Sequence, residues 1–372
     1  MNILVLDTVY QTILNGIEIE IHEQRLEEFE AIRQEILAYR FGTSGCYEYY
    51  FSKNGHRCLE IVANSALLQS AWAKENGVRF LNTKAWDKSF FLSRTKALHP
   101  FLNYLRQFHF LVVQQVKSIK PDVLIVKDIH EYPPIVLRQF KQSVGQLVGF
   151  CSSSVVDSNN FAEYDLILSS VPANLQIAKD LGIRNKRLFP AFDSRNLEFQ
   201  SENRDISTSF VGSIYSGTIP ILKAALEVDS ALQIYAPNPK ALQGEPGLLD
   251  NYVGNAWGSE MYKIYGRSKI TLNRHGAIAS NFAANMRLFE ATGMGACLLT
   301  ESRPNLPYLF DPATEVVSYN DLSDLQRKIE LVLGSDSLRQ RIAEAGQHRC
   351  LQQHSYSVRI KEILAAFPIN AN

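Results

Sequence analysis

The 372-residue chain predicts an α/β fold of two Rossmann-like domains, and three observations carry that expectation. Short apolar runs such as Ile3-Leu4-Val5-Leu6 and Val123-Leu124-Ile125-Val126 read as strands buried on both faces of a parallel sheet. Helical patterns alternate with these runs along the whole chain, as crossover connections between parallel strands require. A charged, apolar-poor stretch at 194–205 (SRNLEFQSENRD) reads as a linker between two halves, each long enough for its own core. The expected bounds are 1–195 for the first domain, 206–352 for the second and 353–372 for a closing helix.

The first half opens on a strand, Asn2 to Asp7. A helix is expected over about 23–39, with Leu26, Phe29, Ile32, Ile36 and Leu37 on one face and charges on the other. Phe41-Gly42-Thr43-Ser44-Gly45 follows as a loop. Its glycines and hydroxyls suit either a close ligand approach or a simple turn with a Ser or Thr cap. A strand at 55–62 and a helix at 65–75 come next. The stretch 77–97 has no clear period and reads as irregular, and 100–118 reads as a long helix. The strand at 121–126 delivers Lys127, Asp128, Ile129, His130 and Glu131 to its carboxyl end, where open α/β sheets bind ligands. His130, with Asp128 beside it, is therefore the first catalytic candidate, the alternative being a polar strand-end loop. Strands at 146–151 and 165–168 lead to serine-rich loops, which are routine caps. A helix at 171–182 and a short strand within 187–193 close this half.

The second half starts with a strand ending in Val211-Gly212-Ser213, and another follows at 232–237. A helix from Trp257 leads into the stretch 268–301, which reads as strand, polar loop, helix and strand. Its loop and first helical turn carry Asn273, Arg274, His275, Asn281, Asn285 and Arg287, with Glu290 one turn beyond Arg287. The helix start and the two arginines suit an anionic ligand. Arg287 and Glu290, three apart, share a helical face. An arginine on a diphosphate and a carboxylate on two ribose hydroxyls is what a nucleotide-sugar site requires. An ordinary surface Arg–Glu pair fits the same spacing.

Composition narrows the classes. Lys+Arg and Asp+Glu both number 38, which argues against a broad nucleic-acid footprint. No apolar run approaches the roughly 18 to 20 residues of a membrane helix, although peripheral membrane contact is compatible with the sequence. The chain enters its first strand without a basic leader, so no signal peptide is expected. The five scattered cysteines lack any C-x-x-C pairing and read as reduced thiols of a cytoplasmic protein. No histidine, cysteine or carboxylate spacing points to a metal site, so no metal and no cofactor are expected. A dinucleotide oxidoreductase is disfavoured because no glycine fingerprint follows the first strand.

The runs NMRLFEATGMGACLLTE (285–301), NLPYLF (305–310), EVVSYNDLSDL (315–325) and IAEAGQHRCLQQHSY (342–356) together resemble the C-terminal half of the group 1-like glycosyltransferases of the spore-maturation type. The resemblance covers roughly 206–366. FGTSG at 41, LQSAWAKENG at 68 and YDLILSS at 164 are looser matches. It implies GT-B architecture, two Rossmann-like domains facing each other across a cleft. It also implies metal-independent transfer of a sugar from a nucleotide-diphosphate sugar to an acceptor hydroxyl. On that reading Gly212 and Ser213 approach the donor diphosphate, Arg274 and Arg287 stabilise its charge, and Glu290 holds ribose. Asn273, His275, Asn281 and Asn285 complete the donor side. Thr43 and Ser44 face the acceptor, with the Asp128/His130 pair addressing its hydroxyl.

Such a C-terminal helix often packs back on the first domain, with His354 as a cap or hinge contact. Two departures stand out. No basic residue follows Gly212, and Phe282 occupies the position eight before Glu290 where a second glutamate is common. They leave two alternatives in play: a nucleotide-sugar epimerase of the same fold, and a catalytically weak nucleotide-sugar-binding subunit.

Overall fold

The computed structural model describes residues 1–79, 107–153, 161–276 and 281–367. The chain divides into two compact units, Met1–Leu188 and Phe189–Asn372. Each is built on a six-stranded, wholly parallel sheet.

In the first unit the strands are β1 (Asn2–Asp7), β2 (Arg57–Val62), β3 (Val123–Val126), β4 (Gln146–Cys151), β5 (Leu166–Ser169) and β6 (Arg184–Arg187). Their spatial order is β2-β1-β3-β4-β5-β6. All four residues of β3 are buried, as a strand covered on both faces must be. The order changes direction between β1 and β3, so the carboxyl ends of those two strands, at Asp7 and Lys127, mark the crevice where such sheets bind ligands.

The helix expected over 23–39 runs Phe29–Ala38, and an additional helix, Gln11–Glu23, precedes it across a turn with Arg25 at φ +58°. The run Ile17-Glu18-Ile19-Glu20-Ile21 alternates like a strand. However, the chain buries Ile13, Leu14, Ile17 and Ile21, one helical face, and leaves Ile19 exposed. Nor do all the charges of the second helix face water. Arg33 is buried, donating to Glu30, Glu48 and the Glu60 carbonyl. The stretch 77–97 beyond residue 79, the start of the helix expected at 100–118, and Ser154 lie outside the described residues. The described part of that helix runs Gln107–Ile119.

The second unit contains β7 (Ile206–Val211), β8 (Gln233–Tyr235), β9 (Tyr252–Gly254), β10 (Ser268–Asn273), β11 (Cys297–Glu301) and β12 (Val317–Tyr319), ordered β12-β11-β10-β7-β8-β9. Read from β9, this is the dinucleotide-fold order with its reversal between β7 and β10. Two cores flank the sheet. One includes Leu222, Leu232, Ile270, Leu299 and Ile329, and the other Tyr262, Leu288, Phe289, Leu298 and Cys350.

The stretch read as a linker is integral to this unit. Residues 194–199 form a 3₁₀ helix with Asn196 buried, and the Arg204 guanidinium donates to the carbonyls of Tyr265, Ser268 and Met294 at 2.8–3.0 Å. A cation at the carboxyl ends of two helices is stabilising, and here it satisfies carbonyls that no helix can pair.

The last helix, Tyr356–Leu364, follows a parallel bridge between Phe192 and Ser355 in the same unit. His354 donates from Nε2 to the Leu309 carbonyl at 2.7 Å, and Arg359 lies 3.4 Å from Nδ1. Burial holds its pKa down at about 4. Among the described residues no helix is long and apolar enough to cross a membrane.

Candidate functional site

The site in the second unit gathers where β7 and β10 end. The chain leaves β7 through Gly212 at φ +143°, a conformation L-residues avoid. A Cβ there would lie 1.7 Å from Nη2 of Arg287, so the guanidinium rests directly on the bare backbone. The same guanidinium sits 5.1 Å from the Phe210 ring centroid and donates towards Asn273 Oδ1 at 3.4 Å. Further round the loop, a Cβ on Gly217 would lie 2.4 Å from Nη2 of Arg274. Asn238 pins the loop between these glycines, accepting the Ile214 N–H at 3.1 Å and donating to its carbonyl at 2.8 Å.

Arg274 and Arg287 have no carboxylate within ion-pair distance among the described residues, so two cations lie over one glycine-rich turn without a side-chain counter-charge. They occupy the surface of the loop that lacks a basic residue of its own. Gly212→Ala should displace the Arg287 guanidinium and lower nucleoside-diphosphate affinity by about tenfold or more. Titration calorimetry checks this, with circular dichroism confirming the fold.

Two asparagines hold this arrangement rather than project from it. Asn285 Nδ2 donates to Asn273 Oδ1 at 2.6 Å and to the Arg274 carbonyl at 3.1 Å. Asn273 Nδ2 reaches Thr300 Oγ1 at 3.0 Å. The turn carrying Arg274 is thereby tied to the start of the helix Met286–Gly293. His275 is buried as well, its N–H on Glu301 at 2.8 Å and its Nε2 3.0 Å from Thr300 Oγ1. Burial, then Arg303 and Arg287, lower its pKa to about 3, which keeps the ring neutral. Asn281 is exposed and accepts from Arg303 at 3.4 Å. Ser213 is half-buried beside Gly212.

Glu290 lies one turn after Arg287 on the same helix, almost wholly buried, with the Tyr262 hydroxyl donating to Oε1 at 3.3 Å. Burial raises its pKa to about 7, against the opposing pull of Arg287 and Tyr262. Phe282 is half-buried, so no carboxylate stands in for a second glutamate there.

Because the folded protein keeps His275 and His354 neutral while the unfolded chain protonates both below about pH 6.5, their contribution to stability falls as pH drops through that value. Each contributes a loss on the order of 3 kcal/mol by pH 4. The buried Glu290 and Glu60 carboxyls act the other way in the same window, so the test is a difference between proteins: from pH 7 to pH 5, His354→Gln should lose less stability, or gain more, than wild type, as read from urea midpoints.

The first unit has its own polar cluster where β1 and β3 end. Lys127 Nζ is 2.5 Å from Asp7 Oδ2, which also accepts from Thr43 Oγ1 at 3.4 Å. The buried Ser44 hydroxyl has no partner among the described residues. Glu60, fully buried, accepts the Gly45 N–H at 3.0 Å, and burial pushes its pKa up to about 8. Asp128 accepts the His130 N–H at 3.0 Å, closing a tight turn, and burial followed by Glu131 raises its pKa. The buried His109 contacts the Glu131 carbonyl at 2.9 Å. The turn at 41–45 and the end of β3 are thus linked through Asp7.

Sequence reasoning did not single out Asp7, Lys127, Glu60 or Arg303. A charged residue closing an otherwise apolar strand was a usable signal for Asp7. Arg303, two residues past β11, had none. Among the described residues no group of three His, Cys, Asp or Glu side chains is placed to hold a metal ion.

Residues 222–365 match the family model described as Glycosyl transferase-like. Solved structures with the same fold include a glycosyltransferase from Rickettsia africae ESF-5, 13% identical, with a TM-score of 0.61 over 98% of this chain and 97% of that one. Together these place the chain. The chain has the GT-B fold, and its second unit is similar to the glycosyl transferase-like family. Its two six-stranded parallel sheets are the two halves of that architecture. HepE from Anabaena in complex with UDP is 12% identical, with a TM-score of 0.60 over 99% of the enzyme and 100% of that chain. Sucrose-phosphate synthase from Thermosynechococcus elongatus is 10% identical, with a TM-score of 0.60 over 98% of each chain. No curated protein matches the enzyme by sequence.

Proposed function

We propose that the enzyme transfers a sugar from a nucleoside diphosphate sugar, held by the second unit, to an acceptor hydroxyl. The observation that carries this reading is the pair of unpaired guanidinia, Arg287 on Gly212 and Arg274 on Gly217, at the sheet's switch point. A diphosphate supplies the charge they lack. Glu290, once ionised, accepts from the two ribose hydroxyls. Asn273, Asn285 and His275 hold the arginines' turn in place, Ser213 adds a polar group beside the diphosphate, and Asn281 lies on the sugar side. Solved neighbours of the same fold that hold UDP and UDP-glucose support a nucleotide-sugar donor.

The chemistry asked of these residues is chiefly electrostatic. As the glycosidic bond to the diphosphate breaks, negative charge grows on the leaving oxygen, and fixed guanidinia stabilise that charge without reorganising. Two arginines take the place of a divalent ion, so transfer proceeds without metal. In the first unit His130 takes the acceptor proton. Asp128 sets the turn that carries it, and Thr43 and Ser44 line the acceptor side. We place the reaction in the cytoplasm.

A thermal-shift screen against UDP, GDP, dTDP, CMP and NAD tests the donor assignment. One nucleoside diphosphate should raise Tm, and Glu290→Ala should abolish the rise; a response to NAD alone would overturn the reading. His130→Ala should lower kcat by about 10²-fold with nucleotide Kd unchanged; full activity in that variant removes His130 from the mechanism. Following the nucleotide separates transfer from epimerisation, because only transfer releases a stoichiometric nucleoside diphosphate.

A further inference from the structure

A cavity of about 430 Å³ opens at the other end of the second unit's sheet, by the amino ends of β7, β10 and β11. The strap 200–204 that leads into β7 lines one side of it, and one face of the helix Asp336–Gln353 lines another. Lys269, at the start of β10, and Gly295, just before β11, complete the lining.

The donor arginines stand at the opposite ends of the same elements. Arg274 directly follows β10, and Arg287 lies in the first turn of the helix Met286–Gly293, whose far end Arg204 caps at the Met294 carbonyl. Lys269 and Asn273 are separated by roughly 13 Å of strand, so a small molecule in this cavity stands clear of the diphosphate contacts.

Charge is layered around the cavity. Arg204, Lys269 and Arg339 are part-buried, whereas Glu202, Asp336 and Glu344 are exposed. Of the three cations only Arg339 has a carboxylate partner, Asp336, among the described residues. Arg204 spends its donors on three backbone carbonyls, and burial lowers its pKa, as for a cation held from water without a full counter-charge. Lys269 acts on Asp336 through space without forming an ion pair. Glu344 accepts from Gln340 Nε2 at 2.8 Å and retains acceptor capacity.

The two layers ask for different groups. Part-buried cations suit a phosphate, which gains charge-assisted hydrogen bonds from guanidinium and ammonium alike. The exposed carboxylates repel a bare anion but accept from hydroxyls. A phosphate carried on a polyhydroxylated body satisfies both, and the cavity lies within the size range of small-molecule sites.

We propose that this cavity binds a hexose phosphate, with the phosphate on Arg204 and Lys269 and the hydroxyls on Glu202 and Glu344. The site uses neither Glu290 nor the donor arginines, so it stands independently of the nucleotide-sugar reading.

The test titrates glucose 6-phosphate, inorganic phosphate and glucose into the full chain by calorimetry, with and without UDP. Glucose 6-phosphate should bind about tenfold tighter than inorganic phosphate, glucose should give no signal, and UDP should leave the binding intact. Lys269→Gln should weaken glucose 6-phosphate by about tenfold and leave UDP affinity unchanged. Glu344→Gln, at an exposed position, should weaken glucose 6-phosphate by about threefold while inorganic phosphate binds as well or better. Inorganic phosphate binding as tightly as glucose 6-phosphate overturns the assignment. Binding that UDP displaces and Lys269→Gln spares also overturns it, because the phosphate then sits on Arg274 and Arg287. Wild-type protein that binds UDP but no glucose 6-phosphate sinks this site alone, whereas the reverse result keeps it and sinks the donor reading.

Discussion

Glu290→Gln is expected to make the enzyme more stable at pH 8 and, in the same variant, a poorer binder of nucleotide. Burial is the main reason the Glu290 carboxyl holds its proton up to about pH 7. The unfolded chain releases that proton near its ordinary value of 4.5. Between those values the folded protein binds this proton more tightly, so Glu290's contribution to stability falls as pH rises from 4.5 to 7 and stays reduced above. A displacement of this size corresponds to about 3 kcal/mol. Glutamine fills the same volume, keeps the Tyr262 hydroxyl as a partner and carries no charge to desolvate. Its Tm should therefore rise at pH 8, by roughly 5 °C or more for a unit of this size. No rise is expected at pH 5, where the wild-type carboxyl is already protonated.

Affinity moves the other way. A carboxylate accepts from both ribose hydroxyls, whereas an amide offers one acceptor, so Kd for a nucleoside diphosphate should increase by about 10- to 100-fold. Wild-type affinity should itself improve as pH rises through 7. An equal Tm gain at both pH values would show that the penalty is not one of charge. An unchanged Kd would remove Glu290 from ribose recognition. A Tm gain confined to pH 8 together with a weakened Kd would make the buried carboxyl a site residue kept at a cost in stability.

The strands were the most legible part of the chain because a parallel sheet covered on both faces demands continuous apolar runs, as in β3, and few other structures do. The stretch 268–301 was legible for the same reason, since an arginine and a carboxylate at helical spacing stood out in an apolar setting. What escaped had contrary local signals. The helix Gln11–Glu23 hid behind an alternating Ile-Glu run, and tertiary burial of Ile13, Leu14, Ile17 and Ile21 decided its period. Arg204 sat in a charged stretch that looked like solvent-exposed linker, yet its guanidinium is the shared cap of two helix ends. Arg33 misled in the same way. Long-range convergence was invisible altogether. Nothing in the sequence says that Arg287 lies on Gly212, some seventy residues away, or that Arg303 meets Glu301 beside a cavity walled by Tyr319.

Arg287→Ala should produce the largest loss of function in the second unit, and the loss should discriminate between ligands. A desolvated, charge-assisted contact to phosphate is worth roughly 1.5 to 3 kcal/mol, so Kd for the nucleoside diphosphate should rise by about 10- to 100-fold. The bare nucleoside makes no such contact and should bind as before. Because charge on the diphosphate grows as the glycosidic bond breaks, kcat should fall by about a further 10²-fold. Lysine is not a substitute. The guanidinium is a planar fork laid on backbone that has no Cβ beneath it, and an ammonium on a flexible stem reproduces neither the fork nor its contact with Phe210. Gly212→Ala displaces the same group from below, so the double variant should be scarcely worse than Arg287→Ala alone. Additive losses would mean that Gly212 approaches the phosphate independently of the arginine. Equal loss of nucleoside and nucleoside diphosphate affinity would make Arg287 a packing residue and leave Arg274 as the diphosphate's sole cation in this loop.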